Sequence, residues 1–364
     1  MKLLKKEWLF FIFLALFFPL YFKLKPTLNE IISSIDFATL RALIALLLIT
    51  TALRISKFFD FLAIKTIDKF KNERRLAIAF ISLALVLSMF LTNDITLFIL
   101  VPLTLSFSFQ IKNDLTKLII FEAIAVNVGS ALTPFGNPQN LFLFRQMDFG
   151  VLDFIKTMSF IVLPELMLLF IFVFLLFKPK TLEIELKEKV KVDKFLFFSS
   201  IILFLIFIFA LENSLVRYAL IIIISFYLFS KQNEVFLKFD YFLIFTFIIM
   251  FIDFSLLAKL QSVQDIMHSF KTDFINVFNI SVVLSQFISN VPAAIFMTHF
   301  SNDYVAIAYG VNVAGNGLLI SSLANVIAHR FLNNSKVYLS FHKYSIPFFI
   351  LSYLLVFLII QKTI

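Results

Sequence analysis

The sequence predicts an all-α polytopic membrane protein of two inverted repeats. Each repeat has a re-entrant helical hairpin and a broken transmembrane helix, giving about nine spans plus two hairpins. Three observations carry this. The chain of 364 residues is 61% hydrophobic, with mean hydropathy +0.98 and 53 phenylalanines, more apolar surface than a soluble core uses. Its apolar stretches are mostly helix-length rather than short and alternating, which argues against an outer-membrane barrel. Five of the six glycines fall in two stretches, NVGSALTPFGNPQN (127–140) and GVNVAGNGLLISSLAN (310–325). Setting Asn127 on Asn312 sets Val128 on Val313 and Asn140 on Asn325. A polar break that occurs twice in an oily chain points to a bound solute.

The elements follow in order. The start has a basic region and an apolar run but no small-residue cleavage site, so 7–22 reads as a retained first helix rather than a signal peptide. A second helix covers 37–53, and an apolar pair, 76–91 and 95–109, follows. Next come a broken helix at 117–146 and a helix at 151–177. The lysine-rich linker 178–194 divides a first half, 1–177, from a second half, 195–364. The second half reads as helices at 195–211, 215–230 and 239–256, an apolar pair at 273–288 and 292–300, a broken helix at 304–328 and a last helix at 339–361.

Charge placement orients them. Residues 54–75 hold Arg54, Lys57, Lys65, Lys69, Lys71, Arg74 and Arg75, and 110–117 hold Lys112 and Lys117. Both flanks of the first pair are therefore cytoplasmic. A segment that starts and ends on one side is a hairpin, here 76–109 with its tip at Thr92-Asn93-Asp94. Residues 257–272 carry only Lys259 and Lys271 and read as periplasmic. The second hairpin, 273–300, then enters from the opposite face, with its tip at Ser289-Asn290-Val291-Pro292. This places the chain in a bacterial or archaeal inner membrane, N-terminus cytoplasmic and C-terminus outside. The alternative, in which all four hairpin arms span, puts basic flanks on both faces. The net charge of +9 is a topology signal rather than a nucleic-acid signal. Cysteine is absent, which excludes disulfide and thiol chemistry.

Backbone groups cannot stay unpaired in hydrocarbon, so a break at membrane depth faces protein, water or a solute. Helix N-termini there suit anions; C-termini and unwound carbonyls suit Na⁺. Pro134 and Pro138 keep the first broken helix from re-forming, and Gly315 and Gly317 let the second bend and admit a ligand closely. Thr133, Asn137, Asn140, Asn316, Ser322 and Asn325 belong to the breaks and are cavity-lining candidates. Asp94 is a cation ligand or proton carrier by position, and it also suits a helix N-cap. Glu122 lies early in its helix, interfacial or functional; Glu165 pairs with Arg41 or lines a pathway; Asp253 reads as solvated near a periplasmic end. His268, His299, His329 and His342 lack metal-ligand spacing and read as surface groups.

The stretches LTNDITLFILVPL (91–103), NVGSALTPFGNPQNLFLF (127–144), SNVPAA (289–294) and NVAGNGLLISSLANVIA (312–328) resemble the ion transporter superfamily. That group includes citrate-transporter-like and divalent-anion:Na⁺ symporters, arsenite-efflux permeases and some Na⁺/H⁺ antiporters. The resemblance implies substrate contacts at Thr92, Asn93, Asp94, Ser289, Asn290, Thr133, Pro134, Asn137, Asn316 and Gly317. It implies Na⁺ near Asn93, Asp94, Asn127, Ser130 and Gly136, and again near Ser289, Asn290, Asn312, Gly315 and Ser321. It also implies elevator movement and a homodimer. The family tip is Ser-Asn-Thr, and here Asp94 and Val291 replace the third residue. The missing hydroxyl weakens a dicarboxylate assignment, and Asp94 leans toward the arsenite-permease and antiporter branches.

The expected function is secondary active transport of a small solute, an anion such as a carboxylate or oxyanion. The coupling ion is Na⁺ or H⁺, with Asp94 as the coupling acid and no cofactor. Arsenite or antimonite efflux and Na⁺/H⁺ antiport are the alternatives. No Walker A loop or HExxH motif occurs, so ATP drive within the chain and a metalloprotease are not supported. The expected partners are the solute and the lipid bilayer, and no nucleic acid.

Overall fold

A chain this apolar satisfies its backbone within helices, because no water is available to do so in hydrocarbon. The computed structural model describes residues 7–67, 72–108, 115–179, 190–332 and 336–363. Lys69, Lys71, Lys112, residue 109 and residues 180–189 of the linker lie outside the described residues. Among the described residues there are α-helices, one 3₁₀ turn at Leu319–Ser321, and no strand. The first half runs α1 (Trp8–Leu24), α2 (Leu28–Ser33), α3 (Phe37–Ile55), α4 (Phe58–Ile67), α5 (Glu73–Phe90), α6 (Asn93–Ser108), α7 (Thr116–Ser130), α8 (Pro138–Gln146) and α9 (Val151–Leu176). The second runs α10 (Lys194–Glu212), α11 (Val216–Phe229), α12 (Glu234–Leu237), α13 (Tyr241–Ala258), α14 (Gln261–His268), α15 (Phe274–Ile288), α16 (Asn290–Met297), α17 (Tyr304–Ala314), α18 (Leu323–Leu332) and α19 (Lys336–Thr363).

Among the described residues, five helices are long and apolar enough to cross a membrane alone: α3, α9, α10, α13 and α19. The other expected spans are shorter or broken. Helix α1 has 17 residues and α11 has 14, while α7–α8 and α17–α18 each need both segments for a full crossing. Large apolar side chains point outward along the long helices, among them Leu163, Phe174, Phe198, Phe209 and Leu358, each more than half exposed. Such a belt suits lipid and not water.

Loops sort to two ends. At one end Glu73 pairs with Lys117 at 3.3 Å, so α5 and α7 start side by side. Lys117 also donates to Leu176 O (2.8 Å), and Arg74 donates to Phe177 O (2.7 Å), supplying cations to the C-terminus of α9. Asp193 N donates to Ser56 O (3.0 Å) and Arg54 to Lys238 O (3.3 Å) at this same end. At the other end Lys259 meets Glu30 (3.3 Å), Gln146 donates to Asp36 (3.3 Å) and Val151 N donates to Glu212 (3.2 Å). Helix starts at both ends are capped by Asx side chains: Asn72, Asp193 and Asp240 at the first end, Asp36, Asp273 and Asp303 at the second.

Each broken helix packs chiefly on the first arm of the pair before it, α7 on α5 and α17 on α15. Glycine makes that approach possible. A Cβ on Gly129 would strike Leu85 O and Ser88 Oγ, and one on Gly310 would lie 2.5 Å from Phe278 O. None of the six glycines has positive φ, so what the break glycines supply is read from close approach. Gly136 lies against the backbone of Ser130 and Ser88, where close contact excludes a side chain, and Gly317 lies against the Gln286 amide, which would have to leave its bonds to Ala314 and Leu318 to admit one.

Candidate functional site

The two expected hairpin tips are short interruptions between helices. The first is Leu91-Thr92 and the second is Ser289 alone, so Asn93 and Asn290 each open the outgoing helix. Each folds its carbonyl onto the next backbone amide: Asp94 N donates to Asn93 Oδ1 (3.0 Å) and Val291 N to Asn290 Oδ1 (2.9 Å). Among the described residues neither Nδ2 has a protein partner. Each tip therefore presents an unengaged amide donor beside a helix N-terminus. Ser289 sits at φ 75, ψ 157, a region that side chains seldom occupy.

Both tips face one narrow gap of about 30 Å³, room for roughly one water. Asn93, Asp94, Ser289 and Asn290 line it, with Gln139 from α8 and Thr246 and Met250 from α13. Asp94 is buried and its Oδ1 has no partner. It is not the cap of α6: no backbone amide donates to its carboxylate among the described residues. A much larger cavity, about 540 Å³, opens elsewhere, around His268, Lys271 and Asp273. Asp273 is already spent there as the α15 cap, and that cavity is lined from the second half of the chain alone, residues 267–301, whereas tips from both halves line the gap.

Behind the gap the two breaks are stitched together by asparagines. Asn127 Nδ2 donates to Asn325 Oδ1 (2.9 Å), and Asn312 Nδ2 donates to Asn140 Oδ1 (2.7 Å). Ser322 Oγ donates to Asn127 Oδ1 (2.9 Å), and Asn137 Nδ2 to Asn312 Oδ1 (3.1 Å). Asn140 Nδ2 holds the carbonyls of Ser130, Ala131 and Thr133, while Asn325 Nδ2 holds those of Gly315 and Leu318. These bonds follow the offset 312 − 127 = 185 throughout: 137 with 322, 140 with 325, 130 with 315, 133 with 318. Each half thus completes the other's break.

Each tip is also tied to its own break. Asn93 N donates to Gly136 O (3.0 Å) and Thr133 Oγ1 to Met89 O (2.6 Å). On the other side Gln286 Nε2 donates to Ala314 O (2.9 Å) and its Oε1 accepts from Leu318 N (2.8 Å). Of the residues expected to meet substrate, Asn93, Asp94, Ser289 and Asn290 come together in the gap. Thr92, Thr133, Pro134, Asn137, Asn316 and Gly317 are not among its lining residues; the last five build the breaks behind it. The carbonyls expected to cradle Na⁺ are already hydrogen-bonded: Gly136 O by Asn93 N, and Gly315 O by Asn127, Ser321 and Asn325. Gln139 and Gln286 were missed by the sequence reading, though each is a polar residue close to a break or tip.

Several acids and histidines depart from expectation. Asp253 is fully buried, with neither carboxylate oxygen partnered, rather than solvated. Its helix packs against α1, α3 and α16, which cover it on several sides. Glu122 is also fully buried and accepts from Thr104 Oγ1 at 2.5 Å, because α7 is enclosed by α5, α6 and α18. Glu165 is fully buried and meets Asn316, whose Nδ2 donates to its Oε1 (3.4 Å), instead of Arg41. His329 and His342 are half-buried, and His342 Nε2 accepts from Leu319 N (3.2 Å) at the edge of the second break.

A family model described as citrate transporter matches residues 7–303. The chain is 35% identical to the inner membrane protein YbiR of Escherichia coli over 324 residues, 86% of this chain and 85% of that protein. It is 36% identical to an uncharacterized transporter of Methanocaldococcus jannaschii over 309 residues, 84% of each. A shorter stretch of 125 residues is 30% identical to the P protein of Sus scrofa, covering 34% of this chain and 15% of that one.

Proposed function

This chain belongs to the citrate transporter family and is a multi-pass membrane transporter, not an enzyme; from that premise we propose that it moves a small anion across the inner membrane by secondary active transport. One observation carries the anion: two unengaged amide donors, Asn93 Nδ2 and Asn290 Nδ2, stand at two helix N-termini that face one gap. Both features favour a carboxylate or inorganic oxyanion. Re-entry of α5–α6 and α15–α16 from opposite faces fits the pairing of Glu73 with Lys117 and the sorting of loops to two ends. With the basic end cytoplasmic, the N-terminus is inside and the C-terminus outside.

Asp94 supplies the coupling. An anion entering this gap meets an acid with a bare oxygen. The two repel unless Asp94 carries H⁺ or Na⁺, so anion and cation binding become linked, typically by 1–3 kcal/mol (~5–150-fold). H⁺ is favoured over Na⁺, because the break carbonyls that would hold a metal ion are already occupied by asparagine donors. A gap of about 30 Å³ does not admit citrate. The tips therefore part during the cycle, and movement of one helix group against another, elevator-fashion, accomplishes this.

The test is a thermal-shift screen of the purified protein over citrate, dicarboxylates, sulfate, phosphate and arsenite, with and without Na⁺, at two pH values. An anion that stabilises wild type in a cation-dependent manner, and Asp94→Asn without that dependence, is the expected result. Stabilisation by no anion overturns the reading. Val291 in place of a tip hydroxyl, together with Asp94, favours an oxyanion-efflux or Na⁺/H⁺-antiport variant. Stabilisation by arsenite alone, or by Na⁺ alone, selects that variant.

A further inference from the structure

Two orphan oxygens lie on one hydrogen-bonded pair behind the second break, Glu165 and Asn316. Glu165, midway along α9, is fully buried; one oxygen accepts from Asn316 Nδ2, and the other, Oε2, has no partner. Asn316 is also buried, and its Oδ1 has no partner either. Ionised, Glu165 would place a bare charge in the bundle and leave both oxygens as acceptors without donors. A proton on Oε2 supplies the missing donor. A neutral carboxyl and an amide then make two bonds, Oε2–H to Oδ1 and Nδ2–H to Oε1.

Ser352 of α19 provides the alternative partner. It is fully buried, its hydroxyl has no partner in the present arrangement, and it lies within reach of Glu165. Among the described residues, no charged group faces Glu165 from the packed elements. From α7, Glu122 is engaged with Thr104 and Lys117 with Glu73; from α17, Tyr309 donates to Thr157 O. From α19, Tyr353 donates to Asn279, and His342 and Lys343 lie about two to three turns from Ser352. From α5, Arg74 is held at Phe177 O at the cytoplasmic-side end. The ionisation of Glu165 is thus governed by Asn316, Ser352 and burial.

We propose that Glu165 is a proton-binding site of the transport cycle, loaded while Asn316 is docked on it and unloaded when the second break rearranges. This rests on the transporter reading above and adds a site separate from Asp94. The Oε2–H bond forms with a proton from water reaching one face. When Asn316 withdraws, the proton passes to water from the other face, and Ser352 Oγ–H donates to the ionised oxygen. Because Asn316 adjoins Gly315, against which the Asn290 amide rests (3.6 Å to the Cβ a side chain would place there), the proton state of Glu165 reaches the anion gap through one turn of backbone.

Glu165→Gln mimics the loaded form, since its Nε2 donates to Asn316 Oδ1 and its Oε1 still accepts. Infrared spectra of the full-length protein are expected to lose a protonated-carboxyl carbonyl band in Glu165→Gln and to keep it in Ser352→Ala. An unchanged band in Glu165→Gln overturns the proposal. In proteoliposomes probed with citrate, Glu165→Gln is expected to exchange citrate but not to accumulate it under a pH gradient. Accumulation equal to wild type overturns the proposal as well. If wild type moves no citrate at all, the substrate reading fails, and the infrared band alone decides whether Glu165 holds a proton. Glu165→Gln failing to fold is itself contrary, because the isosteric amide satisfies both orphans.

Discussion

Replacing Asn312 with alanine tests whether the two breaks are built as one unit. Asn312 gives Nδ2 to Asn140 Oδ1 (2.7 Å) and to Ala308 O (2.8 Å), and takes Asn137 Nδ2 on Oδ1 (3.1 Å). Asn137 retains Ser130 Oγ at 3.2 Å, and Ala308 O retains its place within α17. Asn140 Oδ1 keeps nothing, and Asn140 is fully buried. Stranding one buried acceptor costs about 1–3 kcal/mol. Losing a side-chain bond inside a membrane bundle costs about 0.6 kcal/mol on average, and two such bonds are weakened. Asn312→Ala should therefore destabilise by about 2–4 kcal/mol. The assay is reversible unfolding in mixed micelles by SDS titration, for Asn312→Ala, Asn140→Ala and the double variant. Because the two residues share a bond, the double variant should fall short of the sum by about 0.6–1.7 kcal/mol. Strict additivity would refute the cross-half pairing.

Two further outcomes follow from close approach and from backbone conformation. Gly129→Ala should cost about 1–3 kcal/mol, since its Cβ meets the backbone of Leu85 and the hydroxyl of Ser88, both on α5. Gly150→Ala, where the nearest atom is the flexible Glu212 carboxylate at 3.0 Å, should be nearly neutral in the same titration. Ser289→Gly should raise stability by about 1 kcal/mol, the relief at φ 75 less the added chain entropy of glycine. Ser289→Val should lower it, and the reverse order would show that the tip is relaxed.

Much of the fold was legible because membrane chains advertise themselves through few, strong signals. The glycine clusters and Asn127 aligned on Asn312 located both breaks, and the 185-residue offset recurs in the hydrogen bonds themselves. Basic residues marked which loops share an end, because lysine and arginine concentrate there for insertion reasons. What was not legible depends on three-dimensional neighbours. Sequence left Glu165 to pair with Arg41 or to line a pathway, whereas the fold brings Asn316 to it across 151 positions. Asp253 was placed in solvent from its nearness to a helix end. Its flanking run, IMFIDFSLL, is apolar on every face, the signature of a helix covered all round. Gln286 sits three residues before the Ser289 tip, but nothing in a linear reading says that its amide spans to Ala314 and Leu318.

The central claim is that Asn93 and Asn290 form one anion site from two halves of the chain. Its most direct test is citrate uptake into proteoliposomes under an imposed Na⁺ or H⁺ gradient, comparing wild type with Asn93→Ala and Asn290→Ala. Each substitution should abolish uptake while the purified variants remain folded, since the lost Nδ2 groups bind no protein partner among the described residues and the lost Oδ1 groups give up only local bonds at the tip, to the next backbone amide and, at Asn290, to Ser289 Oγ. Uptake that survives both substitutions would contradict the account.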